Sequence, residues 1–187
     1  MTQPRRPNRV SIRLQNWDYA SNAWYFVTIC TRDRQLFFGD IVSETMQLSA
    51  IGEIAQQYWL ELLDHFNYVS LDAYVVMPNH LHGILGIDRP SQITENVACK
   101  NDSSPVSTNY PEHYDLATAM SALSPKAGTL SVILRSYKSA VSRWCKFNGY
   151  SSFAWQNRFH EQMIRDDASL NQMRQYIANN PINWKPE

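Results

Sequence analysis

The chain has 187 residues, enough for one compact domain with a sizeable core and too few for two comfortable ones. At 44% hydrophobic and 18% charged residues it reads as a soluble globular protein, and no apolar run approaches the roughly 20 residues a bilayer crossing needs. The zero net charge conceals an asymmetry: residues 1–34 carry six arginines against two acids and residues 130–187 eight Lys or Arg against four, whereas 35–129 carry three bases against eleven acids. If the basic ends fold together, they present a positive surface to a polyanion; scattered solvated charge is the plain alternative. Arg5, Arg6 and Arg9 precede no apolar segment, so a secretory signal is not expected. Three widely spaced cysteines, Cys30, Cys99 and Cys145, suit free thiols in a reducing cytoplasm and supply neither a disulfide framework nor a zinc site.

Along the chain, residues 1–20 read as an extended basic arm. Trp24 to Thr31 (WYFVTICT) is dense in aromatic and β-branched residues, the composition of a buried strand. Leu36 to Leu48, with Gly39, alternates as a hairpin would. Ser49 can cap a helix whose apolar residues Ile51, Ile54, Ala55, Tyr58, Trp59, Leu62 and Leu63 fall at helical spacing. Val69 to Val76 and Leu81 to Ile87 read as two strands joined around Met77-Pro78-Asn79. Residues 88–128, rich in Ser, Thr, Asn and Pro, read as a long flexible insertion. A helix resumes through Leu130, Ile133, Leu134, Tyr137, Val141 and Trp144, with Gly149 near its end. Phe153 to Arg165 looks extended, and Asp167 or Ser169 can cap a last helix through Leu170, Met173, Tyr176 and Ile177 that Pro181 ends. This order predicts a single α+β domain over 1–187. The core is a ferredoxin-like β-α-β-β-α-β antiparallel sheet with helices on one face, followed by an added C-terminal helix.

Two of the five histidines stand together in Met77-Pro78-Asn79-His80-Leu81-His82-Gly83. Side chains two apart on a strand share a face, so His80 and His82 point together while Leu81 points into the core. Paired imidazoles suit a divalent cation, and two ligands leave most of its sphere open for a third donor and for substrate. The same pair also serves two hydrogen-bonded histidines on a half-buried sheet. Gly83, lacking a side chain, would let another backbone or a substrate approach. Among ten tyrosines, Tyr176 is singled out by Asn180, four residues on and on the same helical face. Simple packing of Tyr176 with Met173 and Ile177 is the structural alternative. Tyr137, beside Lys138, is a rival nucleophile whose neighbours Ile133, Leu134 and Val141 favour a core role.

Taken together, these motifs resemble the HUH endonucleases, and within them the REP-associated tyrosine transposases. The resemblance rests on Met77 to Ile84 (MPNHLHGI), WYFVTICT, Tyr74-Val75-Val76 and Arg135-Ser136-Tyr137-Lys138-Ser139-Ala140-Val141. It continues in Trp155 to Glu161 (WQNRFHE), Ile164-Arg165-Asp166, Tyr176-Ile177 and Asn179-Asn180-Pro181. It covers about residues 10–87 and 129–184; the 88–128 insertion departs from compact members. The resemblance implies a transposase-like enzyme that cuts and joins single-stranded DNA beside a hairpin. His80 and His82 would bind Mg²⁺ or Mn²⁺, Asn180 would stand as a third ligand, and Tyr176 would be the nucleophile. The expected product is a 5′-phosphotyrosine link and a free 3′-OH, which conserves the phosphodiester energy for rejoining. Arg5, Arg6, Arg9 and Arg13 would follow the phosphates of the hairpin foot, and Arg135, Lys138, Arg143 and Arg158 would line the strand path. Trp17 or Tyr19 would stack on unpaired bases. Some relatives act as homodimers that exchange the tyrosine helix, and the short tail after Tyr176 favours a monomer. Two other classes remain open at this point: a non-catalytic DNA-binding module of this fold, and a nuclease in which water attacks and Tyr176 is structural.

Overall fold

The computed structural model describes residues 22–89 and 129–185. The basic arm with Arg5, Arg6, Arg9 and Arg13, and the insertion from residue 90 onward, lie outside the described residues. The aromatic run forms β1 (Ala23–Cys30), and the hairpin forms β2 (Gly39–Val42) and β3 (Thr45–Leu48). The turn between β2 and β3 is made by Ser43 and Glu44, both at positive φ (49° and 62°). Helices α1 (Ala50–Leu60) and α2 (Leu62–His65) follow, with Ser49 capping α1 by accepting from the Gly52 amide at 3.1 Å.

Strands β4 (Val69–Met77) and β5 (His80–Ile87) then turn about Pro78 and Asn79. Beyond the insertion come α3 (Leu130–Phe147), β6 (His160–Ile164) and α4 (Asp167–Ala178). Gly149, at φ +86°, takes the left-handed conformation that ends α3. The stretch from Phe153 is regular strand only at β6; before it, Trp155 makes one isolated bridge to Thr31. Strands β4, β5, β1 and β6 lie in that order, all antiparallel. The fold is therefore the α+β arrangement the element order predicts.

Alternation along the strands gives the sheet two different faces. One packs Tyr25, Val27, Ile29, Leu81 and Leu85 against Trp59 of α1 and Ile133, Leu134, Tyr137 and Val141 of α3, all buried. The other holds a smaller cluster of Phe26, Ile84 and Ile177, so α4 sits across the sheet from the other helices.

Gly83 lies in β5 between two inward residues, and a Cβ built on it would come within 2.3 Å of the Trp59 indole. The missing side chain thus admits a core tryptophan, on the face away from the histidines, and not a substrate. Trp59 is fully buried and its ring is rigid, so Gly83→Ala should cost about 1–3 kcal/mol through overpacking. Thermal or urea unfolding measures this, and an unchanged midpoint would show that the indole can yield.

Candidate active site

On the second face, the β1–β5 register sets Thr28 opposite His82 and Cys30 opposite His80, while Thr28 also pairs with His160 of β6. The two imidazole centroids stand 4.4 Å apart, and both residues are buried. Each ring is held at Nδ1. The amide oxygen of Asn79 lies 2.6 Å from Nδ1 of His80, and the Thr28 hydroxyl lies 2.9 Å from Nδ1 of His82. Because an amide oxygen accepts, His80 donates through Nδ1 and keeps its Nε2 lone pair. Phe26 stacks on the His82 ring at 5.2 Å and 25°.

Helix α4 brings the tyrosine to this pair. Its N-cap is Asp166, whose carboxylate accepts from the Ser169 amide at 2.7 Å, not Asp167 or Ser169. Asp166 has extended backbone angles, which a cap requires, while Asp167 is already helical. Ile177 turns into the sheet beside Phe26 and Ile84, with Leu170 and Met173 along the same stripe. Tyr176, one position away, is 50% exposed, and its hydroxyl stands 3.5 Å from Nε2 of His82. Its ring meets His82 and Phe26 edge-on. Tyr137, by contrast, is wholly within the core and donates to the Ala55 carbonyl at 3.0 Å. Burial drives its phenol far above the ordinary range, so the ionised form is strongly disfavoured there.

Asn180 reaches the site by a different route from the shared helical face. The helix closes at Ala178, and Asn180 sits in the turn beyond it, with its amide bonded to the Ile177 carbonyl. From there its side chain faces His80 and favours the protonated form of that ring. Trp184 of the same tail lies 6.0 Å from the His80 ring. A single chain thus gathers His80, His82, Tyr176 and Asn180.

The basic residues are distributed otherwise. Arg135 and Arg143 are exposed on α3, which covers the opposite face of the sheet, and are not brought to the histidines. Lys138 donates to the carbonyls of Gln156 and Arg158 (2.8 and 3.1 Å) and lies over the Trp155 ring. Arg158 is exposed at φ +68°, its carbonyl held by that lysine, in a loop whose Gln156 amide bonds the Cys30 carbonyl beside His80. Sequence reasoning missed Thr28, Asn79, Arg34 and His160. Asn79 adjoins the histidine pair and so carried a signal, but Thr28 and His160 become neighbours only through strand register. Arg34, at φ +57°, contributes positive charge to both histidines.

Burial chiefly, then the Arg34 charge, lowers the His80 imidazole to about 4, against an opposing hydrogen bond to Asn180. Burial, followed by His80, Arg34 and His160, lowers His82 to about 3. Both rings are therefore neutral at pH 7, the form that ligates a metal. Among the described residues, no group of three His, Cys, Asp or Glu side chains gathers to hold one. A divalent cation here would meet two imidazoles and the Asn180 amide, and the donor set fits an open, substrate-completed sphere.

A chain from Haemophilus influenzae described as an uncharacterized protein is 34% identical over 180 residues, spanning 96% of this chain and 92% of that one. The two belong to one family. No family model matches the chain. A solved REP-associated tyrosine transposase bound to a REP hairpin aligns over 91% of this chain and 73% of its own, at TM-score 0.55 and 16% identity, and so shares its fold. A structure from Deinococcus radiodurans R1, at TM-score 0.39 and 15% identity over 89% of this chain and 95% of its own, is too distant to inform the site. Among the described residues, no helix is long and apolar enough to cross a membrane.

The depressed histidines make stability pH-dependent. In the unfolded chain they bind protons below about 6.5, whereas in the fold they resist until about 4 and 3. Stability of the chelator-treated protein should thus be fully present above pH 6.5 and fall as pH drops through that window. His82→Gln should flatten the decline in a pH series of melting temperatures; an equal slope in both proteins would contradict the assignment.

Proposed function

We propose that the chain is a transposase-like endonuclease and strand transferase that cuts single-stranded DNA beside a REP-like hairpin through Tyr176. The observation that carries this reading is the Tyr176 hydroxyl set 3.5 Å from His82, beside a second neutral imidazole and the Asn180 amide. Support comes also from the fold shared with a transposase solved on a REP hairpin. Among alternative tyrosines, Tyr137 is committed to the core.

In this reading, the Tyr176 oxygen bonds the scissile phosphorus as the bond to the 3′ oxygen breaks. The products are a 5′-phosphotyrosine and a 3′-OH that has taken up a proton. Tyr176 is half exposed, so its phenolic proton has a path to water. A neutral phenol is a weak nucleophile and needs activation. His80, His82 and Asn180 would hold Mg²⁺ or Mn²⁺, which supplies Lewis acidity to offset charge on the phosphoryl oxygens and to favour the phenolate. Asn79 and Thr28 orient the imidazoles so that Nε2 faces the site, and Arg34 adds positive charge for the phosphate. Rejoining runs the same exchange backwards: the 3′-OH attacks the phosphotyrosine and Tyr176 leaves. One chain supplies every group, consistent with action as a monomer.

Incubation with a labelled hairpin oligonucleotide and Mn²⁺ should give a protein–DNA adduct that survives denaturant. Tyr176→Phe should abolish it, Tyr137→Phe should retain it, and EDTA should prevent it. Cleavage without an adduct would instead identify a hydrolase, and binding without cleavage a non-catalytic module. Asn79→Ala should weaken Mn²⁺-supported activity about 10- to 100-fold, as loss of an imidazole-orienting partner does. Full activity in that variant would show that Asn79 does not orient His80.

A further inference from the structure

We infer that Asp72 is a positioning residue for Tyr176, acting through a two-pronged ion pair with Arg174 that stops α4 from rolling on the sheet. This rests on Tyr176 being the nucleophile, as proposed above. Arg174 donates through Nε to Oδ1 of Asp72 at 2.8 Å and through its terminal nitrogen to Oδ2 at 2.5 Å. Such a fork fixes direction as well as distance, unlike a single-point contact. A third nitrogen donates to Asn171 at 3.0 Å, one turn back on the same helix, and holds the guanidinium in place.

The strand is built to make this contact. Between Leu71 and Tyr74 the β4–β5 register shifts, the mark of a bulge. Leu71 and Tyr74 pack against the main core, whereas Ala73 and Val75 pack with the α4 cluster. The bulge therefore turns Asp72 and Ala73, consecutive residues, to the one face that α4 occupies. The Asp72 carboxylate also accepts from the Ala73 amide at 2.7 Å, which orients it locally.

The helix needs such a stop because apolar packing holds it lightly. Of its twelve residues only Ile177 is buried, and a helix of this length is marginal without tertiary support. At 100° per residue, Leu170, Met173 and Ile177 form the stripe against the sheet, with Arg174 on one flank and Tyr176 on the other. A roll about that stripe moves the tyrosine hydroxyl away from His82, and the fork on the opposite flank opposes it. Surface ion pairs usually contribute little to global stability. The effect therefore belongs to the placement of Tyr176 and not to the fold as a whole.

The test compares wild type with Asp72→Asn, Arg174→Gln and the reversed pair Asp72→Arg/Arg174→Asp. Adduct formation is followed under single-turnover conditions with saturating hairpin oligonucleotide and Mn²⁺. The single variants should slow it about 10- to 100-fold, the scale on which misplacement of a reacting group acts. Their oligonucleotide affinity and melting temperature should stay near wild type, and the reversed pair should recover part of the rate. Amide exchange should rise in residues 167–180 of Asp72→Asn and not in β5. Unchanged single-turnover rates would overturn the inference. So would a loss that follows melting temperature and affinity together, since that is a merely structural role. If the wild type forms no adduct, the nucleophile assignment itself fails, and unchanged exchange in 167–180 then separately refutes the clamp.

Discussion

Strand β5 must satisfy two unlike surroundings at once, and the two-residue period of an extended chain makes this possible. Leu81, Gly83 and Leu85 go to the face covered by α1 and α3, where Trp59 fills the space that Gly83 leaves. His80, His82 and Ile84 go to the other, where polar groups meet a thinner apolar cover. A slip of one residue would turn both imidazoles into the apolar core and carry the leucines to the histidines' face. The tight packing of Gly83 on Trp59 works against that slip, so a contact on one face guards the geometry of the other.

Polar groups on the second face are costly to bury, and the structure answers with specific partners. Asn79 and Thr28 take one nitrogen of each imidazole, and these bonds set ring orientation before any ligand arrives. Burial and the nearby Arg34 charge keep both rings unprotonated at neutral pH. Solvation and hydrogen bonding thus fix the protonation and orientation of the two imidazoles, and the candidate site draws its groups from β1, β5, α4 and the tail.

The elements themselves were legible in the sequence where local rules govern. WYFVTICT made a strand, Ser49 capped α1, and Gly149 ended α3, since β-branching, side-chain capping and left-handed backbone act over a few residues. Local rules fall a residue or more short at α4, where Asp166 caps in place of Asp167 or Ser169. Helical spacing also misplaced Asn180, because the helix closes before it. The basic residues were harder. Arg135, Arg143 and Lys138 share a helix with Tyr137, and periodicity places them on its flanks without saying which face of the sheet that helix covers.

By itself the sequence determined the element order, the pairing of His80 with His82 on one strand face, and the candidacy of Tyr176 on a terminal helix. Those are properties of spacing along one segment. Only the tertiary structure decided that α4 lies across the sheet from α1 and α3, that Thr28 stands between His82 and His160, and that Asp72 meets Arg174 across 102 residues of chain. Strand register, a bulge and the side on which a helix docks arise from contacts between distant segments. No local periodicity encodes them.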